Sequence, residues 1–122
     1  MSELPVMTRM PELETRNGTS ISIRWRDWSH PPDGGTGPVV GYVVYYQVFD
    51  EVEWREALRT TSTLAIISQL SGEQKYNFRV AAIHQTALVG VPSPVSILTT
   101  CGSMFHLIFC FVLTFFFSKT GS

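Results

Sequence analysis

Cysteine is missing from residues 1–100; the two cysteines of the chain, Cys101 and Cys110, lie beyond them. No disulfide framework therefore holds the first hundred positions, and an apolar core has to do so. This leaves the compartment open, because a domain of that length can rely on its core. An excess of either charge is also missing: nine Lys and Arg stand against ten Asp and Glu, with no basic patch, which argues against a nucleic-acid partner. Histidine is scarce, and His30, His84 and His106 are too far apart for metal-ligand spacing. Gly34-Gly35-Thr36-Gly37 has neither the lysine nor the following helix of a phosphate loop and reads as a flexible turn. No serine sits in a strand-turn-helix elbow with a histidine and carboxylate to serve it. With no acid, base or nucleophile constellation, the chain reads as non-enzymatic, with no cofactor and no metal. The amino terminus holds no apolar run of signal-peptide length.

What is present alternates. The stretch LSGEQKYNFRVAA, residues 70–82, opens with a turn and then sets Tyr76, Phe78, Val80 and Ala82 on one face and Lys75, Asn77, Arg79 and Ala81 on the other. Period two over this length is a half-buried strand. Leu70 before the turn and Tyr76 after it suit a corner between two sheets, with the tyrosine hydroxyl reaching back to a turn backbone group. Upstream, TSISIRW, residues 19–25, alternates with Ile21, Ile23 and Trp25 inward, and Trp25 is the expected central core aromatic. GYVVYYQVF, residues 41–49, is a central strand with Tyr42, Val44 and Tyr46 on one face and Val43 and Tyr45 on the other; both faces are apolar, so a cover over the outer one is expected. Short strands are also predicted at 11–16, 52–58, 60–70 with Ala65 and Ile67 inward, and 94–100 with Val95 and Ile97 inward. Residues 27–40 hold three of the seven prolines and three of the nine glycines and form a long loop. About seven short strands with turn signals between them and no helical period make an all-β sandwich.

These residues resemble a fibronectin type III domain. The resemblance rests on Trp25, on Gly41-Tyr42-x-Val44-x-Tyr46, on the Leu70 and Tyr76 corner with Phe78-Arg79-Val80-x-Ala82, and on Gly90-x-Pro92-Ser93. It implies a seven-stranded antiparallel immunoglobulin-like β-sandwich, in sheets of three and four strands, with Trp25 between them. It also implies a non-catalytic protein-binding or spacer module, of the kind common in cell-surface receptors and adhesion proteins. Residues 8–100 would be the domain, 1–7 a flexible lead-in and 101–122 an apolar tail. The partners implied are a protein ligand or neighbouring domains of a longer receptor.

Three further features carry expectations. Asn17-Gly18-Thr19 is an N-glycosylation acceptor at a turn. If the strand order of the family is kept, loop 27–40 and loop 85–91 share one end and form one surface, with Trp28 as its exposed anchor, His30 beside it and an apolar tip of Ala87, Leu88 and Val89. Whether that tip binds a partner or folds against the sandwich stays open. Residues 97–117 contain no formal charge, close to the length of a membrane-spanning helix. Residues 102–117 are therefore a candidate transmembrane segment, which places the domain outside a single-pass cell membrane. Three alternatives stand beside it: a lipid-anchor signal, a truncated form or secreted fragment of a longer receptor, and an intracellular module whose apolar tail docks on a membrane or partner.

Overall fold

The computed structural model describes residues 3–101. Within them the chain runs through β1 (Glu12–Arg16), β2 (Ile21–Arg24), β3 (Val39–Val48), β4 (Arg55–Thr60), β5 (Leu64–Ile67), β6 (Lys75–His84) and β7 (Ser96–Thr99). They form a three-stranded sheet in the order β1-β2-β5 and a four-stranded sheet in the order β4-β3-β6-β7. Every pairing is antiparallel. No helix among the described residues is long and apolar enough to cross a membrane. The candidate segment 102–117 lies outside the described residues.

The core follows from the alternation. Ile21 and Ile23 of β2 are fully buried and face Phe78, Val80 and Ala82 of β6, with Tyr42 and Val44 of β3 beside them. Burying one such side chain contributes about 1.5–3 kcal/mol, so this layer dominates the stability. Trp25 closes the layer at one end, its ring meeting that of Tyr42 edge-on, with centroids 5.6 Å apart. The expected inward pair Ala65 and Ile67 is buried on β5.

The corner forms as its sequence suggests. Leu70 and Tyr76 are buried, and the Ser71 backbone N–H donates to the Tyr76 hydroxyl at 2.8 Å. Thr100 doubles the fastening: its hydroxyl donates to the Ser71 carbonyl at 2.6 Å and accepts from the Gln74 N–H at 3.1 Å. The end of the domain is thereby tied to the turn that begins β6.

The expectations for β7 and for the strand at 52–58 are corrected here. On β7 the inward residues are Ser96 and Leu98; Val95 and Ile97 stand 40% and 55% exposed. Cross-strand partners share a face, and β7 pairs Ser96 with Phe78 and Leu98 with Tyr76, which both point into the core. A one-residue slip of register exchanges the two faces. Residues 3–7 of the lead-in are hydrogen-bonded to the loops of the domain. Pro5 and Met7 are buried, and Met7 belongs to the core. The strand expected at 52–58 begins later, at Arg55, and Val52 is 92% exposed.

Replacing Tyr76 separates the two roles of that side chain. Tyr76→Ala is expected to cost about 3–5 kcal/mol, as other large-to-small aromatic truncations do. Tyr76→Phe, which loses only the bond from Ser71, is expected to cost about 0.5–1.5 kcal/mol. Urea titration measures both; equal losses for the two variants would count against the corner.

Candidate functional site

The loops at residues 25–38 and 85–95 lie at one end of the sandwich, joined by the bond from the Gln85 N–H to the Pro38 carbonyl at 3.2 Å. The shared end expected from the family strand order is therefore present. Between the loops runs the amino-terminal segment. Val6 exchanges two backbone bonds with Gly34, at 2.9 and 3.1 Å, while the Met7 N–H donates to Val91 and the Val91 N–H to Pro5. Farther out, the Thr36 N–H donates to the Glu3 carbonyl at 3.1 Å. This close threading demands glycine at two points. Gly35 has φ +77°, and a Cβ there would strike the Leu4 carbonyl; a Cβ on Gly90 would strike that of Pro5.

Asp33 is the polar centre of this end. Its side chain is 1% exposed. One carboxylate oxygen accepts from the Thr8 N–H at 3.1 Å and the Thr8 hydroxyl at 2.7 Å; the other accepts from the Ser29 N–H at 2.9 Å and from Arg9 at 3.3 Å. Burial works to raise its pKa, but the bonds from Thr8, Ser29 and Arg9 outweigh it and hold the carboxyl below its ordinary value. The carboxylate thus pins the amino-terminal segment to the first loop. Tyr42 braces the same loop from below: its hydroxyl accepts from the Trp28 N–H at 2.7 Å and donates to Asp27 at 2.9 Å. Burial, helped by Asp27, raises that hydroxyl to about 12.

The predicted anchor Trp28 is corrected by this arrangement. It is half-buried against the core, its indole N–H donates to the Gly34 carbonyl at 2.9 Å, and its ring packs where a Cβ on Gly37 would stand. It is a strut of the loop and is half-buried, not exposed. His30 is exposed on the same loop. Of the opposite tip, Ala87 and Leu88 are exposed, Leu88 by 58%, whereas Val89 is half-buried and bridges Ile83. Ala87 adopts φ 74°, and its N–H closes the turn on the His84 carbonyl at 2.8 Å. Val91 and Val40 add 51% and 54% exposed apolar side chains at this end. Asn17 sits at the other end, beside the corner. It is exposed, with its side-chain oxygen accepting from the Thr19 and Ser20 N–H groups. The Asn17 amide nitrogen has no hydrogen bond among the described residues, which hold no group of three metal-ligating side chains.

The sequence reading missed Asp33 and the amino-terminal segment. In Pro32-Asp33-Gly34 the aspartate has the local pattern of a turn residue, and its partners Thr8 and Arg9 are remote in the chain. Glycine at both 35 and 90 was the available hint of a close backbone approach.

A family model described as Fibronectin type III domain matches residues 11–97. A Drosophila melanogaster protein named Titin is 32% identical over 69 residues, 57% of this chain and, to the nearest per cent, 0% of that much longer protein. Among solved structures, the fibronectin type III domain of human fibronectin type III domain containing protein 3 matches with a TM-score of 0.70 at 22% identity, covering 84% of this chain and 92% of that one. The twitchin kinase region of C. elegans matches with a TM-score of 0.68 at 18% identity, covering 84% of this chain and 17% of that one.

Asp33 makes the loop end sensitive to acid. Its folded pKa lies below the unfolded value, so its contribution is complete above pH 3.8 and lost as pH falls through the lower folded value. Asp33→Asn is expected to cost about 1–3 kcal/mol at neutral pH and to remove that part of the acid-induced loss. Urea titrations of both proteins between pH 7 and pH 2.5 measure it; parallel profiles would refute the assignment.

Proposed function

The chain belongs to the fibronectin type III family, and on that premise we propose that it serves as a non-catalytic protein-binding or spacer module of a cell-surface receptor or adhesion protein. Modules of this family commonly act in that way, through surfaces and not through chemistry. The observation that carries the reading is the construction of the loop end. The amino-terminal segment is hydrogen-bonded to both loops, at the end where Leu88, Val91 and Val40 are exposed. Exposed apolar side chains on a rigid scaffold are what a protein partner or a neighbouring domain can cover.

The extracellular placement rests on the apolar sequence 102–117 and on Asn17, whose exposed side chain stands at a turn that a glycosylating enzyme can reach. A second reading is favoured by the likeness to the protein named Titin: an intracellular structural or interaction module whose apolar tail docks on a membrane or partner.

Two measurements test these readings. A photo-crosslinking residue at position 88 of the full chain, in its native cells, is expected to give discrete protein adducts that the same residue at position 14 does not; identical patterns would remove the loop end as the contact surface. In the same cells, a glycosidase-sensitive mass that Asn17→Gln abolishes is expected. Complete protection of the domain from protease added outside intact cells would overturn the extracellular reading in favour of the intracellular one.

A further inference from the structure

The outer face of the four-stranded sheet carries a second feature, away from the loop end. Arg79 of β6 lies over the Trp54 ring, its guanidinium carbon 4.1 Å from the ring centroid and 5.7 Å from that of Tyr45 on β3. Two residues along β6, Asn77 bonds to Gln47 at 2.7 Å, and beyond it the Lys75 ammonium stands 5.3 Å from the Phe49 ring. Cations stacked on aromatic faces are stabilised by the ring quadrupole, the more so when partly desolvated.

Covering Val43 and Ala81, both fully buried on this side of the sheet, accounts for the stack itself. It does not account for the charge. Glu56 lies directly opposite Tyr45 on β4, the natural place for a carboxylate to serve Arg79, yet it pairs with Arg59 at 3.2 Å. Neither Arg79 nor Lys75 takes part in any ion pair among the described residues, and the acidic turn of Asp50, Glu51 and Glu53 forms none with them. The Arg79 Nε and the Asn77 Oδ1 are enclosed with no hydrogen-bond partner among the described residues. No side-chain hydrogen bond among the described residues uses the Arg79 guanidinium, whose terminal N–H groups are where a carboxylate would make charge-assisted bonds. Beside this row Ile97 and Phe49 leave 55% and 44% of their surface in solvent.

We propose that this face docks an extended, acidic segment of a partner protein, anchored by a carboxylate on the Arg79 guanidinium between Trp54 and Tyr45. The partner's alternate apolar side chains cover Ile97 and Phe49, and a second carboxylate meets Lys75. Tryptophan, tyrosine and arginine clustered at one half-buried cation are the composition of an interface hot spot. The proposal rests on the protein-binding reading but uses a different surface from the loop end.

The test uses the full chain with 15N-labelled arginine and tryptophan. The probes are an acetylated peptide alternating glutamate and valine, its glutamine counterpart, and inorganic phosphate. The Arg79 Nε–H and Trp54 indole N–H signals are expected to shift saturably with the glutamate peptide and at least about ten-fold more weakly with the other two. Arg79→Gln should abolish the shift at Trp54, whereas Arg79→Lys, which keeps the charge but loses the planar fork, should retain part of it. Leu88→Ser should leave the response unchanged, so a failure here is separate from a failure of the loop end. If Arg79→Gln does not fold, Trp54→Ala takes its place, read at the Arg79 signal. No saturable shift with the glutamate peptide, an equal response to phosphate, or wild-type affinity in Arg79→Gln would each overturn the proposal.

Discussion

The sandwich depends on the inward row of β6. Tyr76, Phe78, Val80 and Ala82 are all buried, and β6 has a strand on each side, so the faces of β3 and β7 are set by pairing with it. Tyr46 is placed by Phe78, Val44 by Val80 and Tyr42 by Ala82 on one side; Ser96 is placed by Phe78 and Leu98 by Tyr76 on the other. Because side chains alternate with period two, no residue of those neighbours can turn outward without breaking the ladder or exposing the row. The same row presses on Ile21 and Ile23 across the core, so one strand fixes both the order within its sheet and the contact between sheets.

Each end of β6 continues into one of the two loop regions, and each is closed by a different kind of bond. At the Tyr76 end the fastening is neutral: a phenol and a threonine hydroxyl satisfy turn backbone groups. At the His84 end it is ionic: the buried carboxylate of Asp33 collects donors from Thr8, Ser29 and Arg9. A charged acceptor makes stronger bonds than a neutral one, at the cost of being dehydrated. That is a reasonable exchange at the end where three separate pieces of chain must meet without a regular strand to align them. It also gives this end a carboxylate whose contribution is lost in acid.

The strands were legible because each carries its own alternation. Residues 19–25 and 75–84 show in themselves which side chains point inward, and the corner could be read from Leu70 and Tyr76 alone. The failures share a physical cause. On β7 the more apolar face, Val95 and Ile97, is the one left outside: pairing with β6 turns Ser96 and Leu98 inward, so the partner strand overrides the local pattern. Residues 3–8 have no alternation, and their burial is settled by Gly34, Gly90 and Asp33, which lie far along the chain. Trp28 was read as exposed because a large aromatic in a loop rich in proline and glycine has no visible partner in sequence; its partner is a carbonyl six residues ahead, presented by the fold.

The doubled apolar character of β3 has a consequence for where a partner can bind. Val43 and Tyr45 alternate with Val44 and Tyr46, so neither face of the strand is polar enough to be left in water. The inward set is covered by the other sheet. The outward set is covered only by side chains, with Arg79 and Trp54 laid across it in place of a layer of backbone. A cover of this kind leaves a cation near apolar surface with its charge unbalanced, because the nearest carboxylate on β4 is held by Arg59. The loop end differs: the buried carboxylate of Asp33 is paired internally with Arg9, and its exposed side chains include the aliphatic Leu88, Val91 and Val40. Under the two proposals above, the surfaces would select different partners, the first by charge and geometry and the second by apolar area.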